Sequence, residues 1–175
     1  MSATTPNPPS RNLPRRAVGL LSGIAIGIAA AALVGLVIVQ GWQVIARYVL
    51  NDSPSWTEPV TVLLLSTAMS LGAAAGVHTR RHFSFHLFAD AAGPTVRRVL
   101  QLVPAVVIAV IGATLAYWGW TLLLDGLDIP TAGADIPQSI NYLPLSIGGV
   151  LMLVFALEQL FEALSGADPA IEGTR

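Results

Sequence analysis

Cysteine and lysine are both missing from this 175-residue chain. Without a thiol there is no disulfide framework and no thiolate metal site, and cysteine usage says nothing about redox compartment. All nine basic residues are therefore arginine. Charge of either sign is scarce at 11% of residues, where a soluble domain carries about 25%. A net charge of −1 provides no basic face for nucleic acid. Catalytic patterns are missing as well. There is no phosphate-cradling glycine loop, no nucleophile elbow, no pair of carboxylates at membrane depth and no Ser, His and Asp spacing that suggests a triad. Neither enzyme activity nor a cofactor is expected.

What the chain does have is apolar length, with 54% hydrophobic residues and a mean hydropathy of +0.68. A bilayer core needs roughly 20 apolar residues in a helix. Four runs meet that need, over about 17–45, 60–77, 99–124 and 140–160, and the charges cluster between them. The expected fold is an all-α integral membrane protein with four transmembrane helices. Residues 17–164 form the membrane domain, 1–16 a disordered N-terminal tail and 165–175 a C-terminal tail. The first run could be taken for a signal peptide, since Arg11, Arg15 and Arg16 precede it and Ala29-Ala30-Ala31 resembles a cleavage site. It exceeds the usual 7–15-residue apolar region, which favours a retained helix.

Arginine sets the orientation. Arg11, Arg15 and Arg16 precede span one, and Arg80, Arg81, Arg97 and Arg98 lie between spans two and three. The other connectors hold one basic residue, Arg47, against Asp52, Glu58, Asp125, Asp128 and Asp135. The positive-inside rule then places both termini and the middle connector in the cytoplasm. All Trp and Tyr residues (Trp42, Tyr48, Trp56, Tyr117, Trp118, Trp120 and Tyr142) fall near the outer side, where indole and phenol satisfy both their apolar and polar parts.

Small residues suggest how the spans pack. Gly19, Gly23, Gly27, Ala31 and Gly35 repeat every four residues in span one, and Gly72 and Gly76 do so in span two. Such grooves let helices approach where lipid gives no hydrophobic drive for association. They serve packing within the chain or docking of a partner chain. The four span cores hold no charge, so a solitary ion or substrate path through this chain is not expected.

The connector from Arg47 to Glu58 carries the most chemistry. A helix from Ala17 to Leu50 would be about 50 Å long, so it must tilt or protrude on the outer side. Asn51-Asp52-Ser53-Pro54 reads as the turn that stops it. Ser55-Trp56-Thr57-Glu58 has capping-box spacing, with Pro59 tolerated in the first turn. An Arg47–Glu58 ion pair across the turn is the plain structural expectation. In the cytoplasmic connector His78, His82, His86 and Asp90 recur every four residues. They form either a metal-binding face or the polar face of an interfacial helix whose Phe83, Phe85, Leu87 and Phe88 lie toward the membrane. The neighbouring arginines would anchor to phospholipid headgroups. In the second outer connector Asp125 to Pro130 and Asp135 to Gln138 repeat an acidic-apolar-Pro pattern, read as an ordered turn. Glu158 and Glu162, one helical turn apart near the end of span four, are expected to face the cytoplasm.

Trp42-Gln43-Val44-Ile45-Ala46-Arg47-Tyr48-Val49-Leu50-Asn51 followed by Trp56-Thr57-Glu58 resembles the small membrane subunit (DctQ-type) of tripartite ATP-independent periplasmic (TRAP) transporters. Arg81-His82-Phe83-Ser84-Phe85-His86 is similar to that family's basic-His-apolar-x-Val-Asp segment, and Ile136-Pro137 with Leu143-Pro144-Leu145 to its lead into the last helix. Pro59 stands where the family commonly has a second Glu, and His86 where it commonly has Asp. The resemblance implies a non-catalytic scaffold in a bacterial inner membrane. A large multi-span subunit would carry the substrate and ion sites, and a periplasmic binding protein would deliver an organic anion. On this reading Arg47, Tyr48, Asn51, Trp56 and Glu58 meet those partners on the outer surface, and Arg80, Arg81, His82 and His86 form the cytoplasmic connector. The alternative is a metal- or haem-binding membrane anchor of a respiratory enzyme. Reporter fusions at Asp52 and at Gly93 should score on opposite sides of the membrane; a same-side result would overturn the arrangement.

Overall fold

The computed structural model describes residues 12–52, 54–78, 94–134 and 136–164. Four long helices account for most of them: α1 (Asn12–Tyr48), α2 (Thr57–His78), α3 (Pro94–Asp125) and α4 (Leu143–Leu164). A 3₁₀ turn, Gln138–Tyr142, leads into α4. Among the described residues the only bridge of β type is an isolated one between Pro130 and Pro137. Four helical segments are long and apolar enough to cross a membrane, Ala17–Tyr48, Thr57–His78, Leu102–Asp125 and Gln138–Phe161, the last including the 3₁₀ turn. The expected all-α, four-span class is therefore the observed one.

Helices suit these segments because in lipid every backbone N–H and C=O must be satisfied within the segment. Four of the hydroxyls inside the spans follow the same constraint. Thr67 donates to the Leu63 carbonyl at 2.7 Å, Ser70 to Ser66 at 2.6 Å, Thr114 to Val110 at 2.8 Å and Thr121 to Tyr117 at 3.0 Å. Each of these four side chains thus returns its proton to its own helix. Pro104 lies inside α3 and has no N–H to donate to the carbonyl one turn back, that of Leu100.

The extensive contacts run from α1 to α2, from α2 to α4 and from α4 to α3. Sequence order and spatial order thus differ, and α2 and α4 are the central pair. One core cluster joins Ala25 and Ala29 of α1 to Leu71 and Ala75 of α2, with Leu151 of α4 against them. A second surrounds the fully buried Phe155 with Ala74 and Val77 of α2, and reaches Val18 and Ile108.

The closest approach lies between α3 and α4. A Cβ added at Gly112 would sit 2.7 Å from the Leu153 nitrogen, and one at Gly119 would sit 3.0 Å from Ser146. Just past α3, a Cβ at Gly126 would meet Ser139 at 2.9 Å. On the facing side a Cβ at Gly149 would lie 2.5 Å from the Ala116 nitrogen, and one at Gly148 would strike Ser70 of α2. Ala105, Gly112, Gly119 and Gly126 follow one another at seven residues, and all are buried. Seven residues are nearly two turns, so this set stays on one face and forms a seam for α4.

The four-residue glycine stripe of α1 behaves differently. A Cβ at Gly19, Gly23 or Gly27 would meet nothing within 4 Å, and at Gly35 only the Leu64 methyls at 3.5 Å. Packing of these glycines within the chain is thus not what α1 does. Its buried face is Ser22, Ala25, Ala29 and Ala32, spaced three and four apart. At 3.6 residues per turn a strict repeat of four advances about 40° at each step, so the stripe winds away from α2 while the mixed spacing stays on it. Gly72 likewise faces open space, whereas Gly76 is half-buried in α2.

Gly149→Val should lower the thermal unfolding midpoint in mild detergent by an amount equivalent to about 1–3 kcal/mol or more of overpacking. Gly23→Val should leave it within about 0.5 kcal/mol. Equal effects at the two positions would overturn this assignment of the seam.

Candidate outer-surface site

α1 ends in a wide turn. Val49 donates its N–H to Ile45 at 2.8 Å, and Asp52 reaches the Ala46 carbonyl at 3.0 Å. Asn51 makes this possible with φ of 53°, the only positive φ among the described non-glycine residues. Asn tolerates that left-handed conformation better than other side chains, and it commonly terminates helices for that reason.

α2 then begins at Thr57, with no exposed surface, whose hydroxyl donates to the Pro54 carbonyl at 2.7 Å. The expected capping box is not formed. Ser55 instead turns its hydroxyl outward and donates to the Gly133 carbonyl at 2.9 Å. Pro59 is buried in the first turn, where its missing N–H costs nothing.

Gly133 belongs to the second outer connector, which is an ordered turn as expected. Thr131 donates to Ile136 and Gln138 to Ile129, both at 2.9 Å, and Ser139 closes onto Gly126 at 3.2 Å. Gly133 adopts φ of 86°, and a Cβ there would lie 2.6 Å from the Ser55 carbonyl oxygen. The α1–α2 and α3–α4 connectors therefore form one surface, joined where Ser55 meets Gly133. Gln138 also donates to the Tyr142 hydroxyl at 3.2 Å.

The expected Arg47–Glu58 ion pair is likewise not made, since the only ion pair found among the described residues lies at the other end of the bundle. Arg47 and Glu58 nevertheless share a pocket of about 340 Å³ between the C-terminal end of α1 and the N-terminal end of α2, together with Tyr48, Gln40, Gln43 and Thr61. Most of the outer aromatic rings point away from the chain: Trp42, Tyr48, Trp56, Tyr117, Trp118 and Trp120 are all exposed, Tyr48 to 79%. Tyr117 and Trp118 meet edge to face at 5.6 Å.

At the opposite end His78 Nδ1 lies 3.7 Å from Glu158 Oε2, and its ring tilts against Phe155 at 5.2 Å. Gln159 donates to the Val77 carbonyl at 2.5 Å. Glu158 is thus turned toward the end of α2. Arg80, Arg81, His82, His86 and Asp90 lie outside the described residues, as does the interfacial helix expected around them. No group of three metal-ligating side chains occurs among the described residues.

The family model of the DctQ component of tripartite ATP-independent periplasmic transporters matches residues 36–166. The chain belongs to this family. No curated protein matches it. The matched region contains both outer connectors and the α3–α4 seam but excludes Gly19, Gly23, Gly27 and Gly35. The chain is accordingly a TRAP transporter component with helices suited to a multi-pass inner-membrane protein. In this DctQ chain Arg47, Tyr48 and Glu58 are brought to one pocket, Trp56 stands exposed two residues before Glu58, and Asn51 shapes the turn.

Sequence reasoning missed three elements: the Ser55–Gly133 contact, the pocket residues Gln40, Gln43 and Thr61, and the Gly112–Gly119–Gly126 seam. The seam was visible as small residues at spacing seven. The loop-to-loop contact spans 78 positions and leaves no periodic trace.

Asn51→Gly should leave stability within a few tenths of a kcal/mol, whereas Asn51→Val should cost roughly 1–2 kcal/mol for a left-handed backbone. Gly133→Ala should speed hydrogen exchange across 129–138 more than Ser55→Ala does, because it strains backbone where the other removes one exposed hydrogen bond worth about 0.5–1.5 kcal/mol. The opposite order would show that the connectors are not joined at this point.

Proposed function

We propose that this DctQ chain is the non-catalytic small subunit that supports the large permease subunit in ion-driven, binding-protein-dependent uptake of an organic anion such as a carboxylate. The observation that carries this beyond family membership is the absence of charge from the four span cores, combined with Trp and Tyr rings gathered at one end. A translocation path needs polar or charged groups at depth. Here Thr67, Ser70, Thr114 and Thr121 bond to their own helices, which supports a bundle that offers structure rather than a route.

The outer surface is the proposed contact region. Tyr48 and Trp56 present large amphipathic rings, the kind of side chain that anchors interfaces, beside the charges of Arg47 and Glu58. The rigid join between the two connectors would hold these groups in a fixed relation to the large subunit or to the periplasmic binding protein. The unpartnered glycine face of α1 is the proposed helix contact with the large subunit, since a groove of small residues admits close approach. Both termini are proposed to face the cytoplasm, in the bacterial inner membrane, with Arg80, Arg81, His82 and His86 on the same side at the phospholipid headgroups. With His78 engaged by Glu158 and Phe155, no observation favours a metal- or haem-binding anchor.

A mild-detergent pull-down should recover a large multi-span membrane protein with this chain, and uptake should vanish when either is deleted. Tyr48→Ala with Trp56→Ala should reduce recovery of that partner without changing helix content. Transport by the purified chain alone, or uptake persisting in its absence, would falsify the scaffold reading.

A further inference from the structure

The pocket between the outer ends of α1 and α2 has a composition that its position explains. Gln40, Gln43, Val44 and Arg47 fall at i, i+3, i+4 and i+7 and so share one face of α1. Glu58 and Thr61, three apart, face them from α2. Counting from Ala17, which follows the Arg15-Arg16 pair, Gln40 lies about 35 Å and Arg47 about 45 Å along the helix. The hydrocarbon core is about 30 Å thick, the bilayer with its headgroups about 40–45 Å, and an ordinary tilt of about 20° shortens the axial distances slightly. The pocket therefore opens at the depth of the outer headgroups.

Its charges are arranged for an ion of both signs. Arg47 and Glu58 line the same space, yet among the described residues neither forms an ion pair with the other. The Thr61 hydroxyl oxygen is buried with no hydrogen-bond partner, a cost that a bound polar group would remove. Gln40 and Gln43 add amide donors and acceptors. An anionic ligand alone would leave it beside the Glu58 carboxylate, and a cationic one beside Arg47.

We propose that this pocket holds the headgroup of a zwitterionic phospholipid with a primary ammonium, a phosphatidylethanolamine, its phosphate on Arg47 and its ammonium on Glu58. The lipid's acyl chains run down the apolar surface of the two helices. The lipid becomes a further component of the outer surface proposed above for partner contact. Its binding depends on the pocket and not on the transport reading.

The test uses the full-length chain in detergent micelles carrying equal amounts of phosphatidylethanolamine, phosphatidylcholine and phosphatidylglycerol, with bound lipid read by native mass spectrometry. The wild type should retain phosphatidylethanolamine several-fold over the other two. Arg47→Gln should lower that retention about tenfold, as loss of one charge-assisted contact implies, while Arg47→Lys keeps most of it. Glu58→Gln should abolish the preference over phosphatidylglycerol. Circular dichroism checks that each variant is folded. Equal retention of the three lipids, or undiminished retention in Arg47→Gln, would overturn the proposal. So would displacement of the lipid by inorganic phosphate alone, or a photo-crosslinker at Val44 that labels a polypeptide instead of lipid in the membrane-extracted complex. Because retention is read on the chain alone, its failure leaves the transport reading untouched, and loss of uptake leaves lipid retention untouched.

Discussion

In lipid a helix gains nothing from setting leucine against leucine, because the solvent it would leave is itself hydrocarbon. A membrane bundle is held instead by how closely its backbones approach and how completely their polar groups are satisfied. The α3–α4 seam answers the first demand. Gly112 and Gly119 bring α3 onto the backbone of α4, and Gly149 and Gly148 open α4 toward α3 and α2 in turn. α4 can occupy the middle because its small residues admit a neighbour on each side. α2 then takes its place against α4 through Ser70 and Phe155, and α1 against α2 through alanines.

That arrangement positions the surface formed by the α1–α2 and α3–α4 connectors. With α4 between α2 and α3, the connector leading into α4 is carried across to the start of α2. There Gly133, with no side chain and a left-handed backbone, fits under Ser55. The two connectors brace each other, and the charged and aromatic side chains around them are presented on a common support. The opposite end is tied independently, by Gln159 to the last turn of α2 and by His78 against Phe155 and Glu158. The bundle is thus pinned at both ends by polar contacts between α2 and the loop-plus-helix unit of α4, and along its length by glycine.

Much of the architecture was legible in advance, and the reasons are specific. Each span holds about 18 or more consecutive residues without a charge, close to the roughly 20 a bilayer core requires, so number and class of the helices follow from composition alone. Asn51 near Pro54 marks the end of α1 because few other residues accept its φ. The DctQ likeness rests on residues Trp42 to Glu58 and on later motifs, all within the region the family model matches. Local rules failed where a distant competitor existed. Ser55 has the spacing of a helix cap, yet its hydroxyl serves a carbonyl 78 positions away. Arg47 and Glu58 have opposite charges and a short connector between them, yet they are set across a pocket instead of against each other.

The glycines show where the division falls. Their presence and spacing are properties of the chain, and both a four-residue and a seven-residue pattern can be read from it directly. Which pattern becomes a helix contact depends on the angle at which a neighbour arrives, and that angle is set jointly by all four helices. The chain by itself determined four membrane helices, their charge-free cores, the aromatic and acidic end, and the family. Tertiary structure alone decided that α4 lies between α2 and α3, that the seven-residue set is consumed in the seam while Gly19, Gly23 and Gly27 stay open, and that Arg47 and Glu58 face a shared space. Periodicity specifies the face of a helix, but only packing specifies what that face meets.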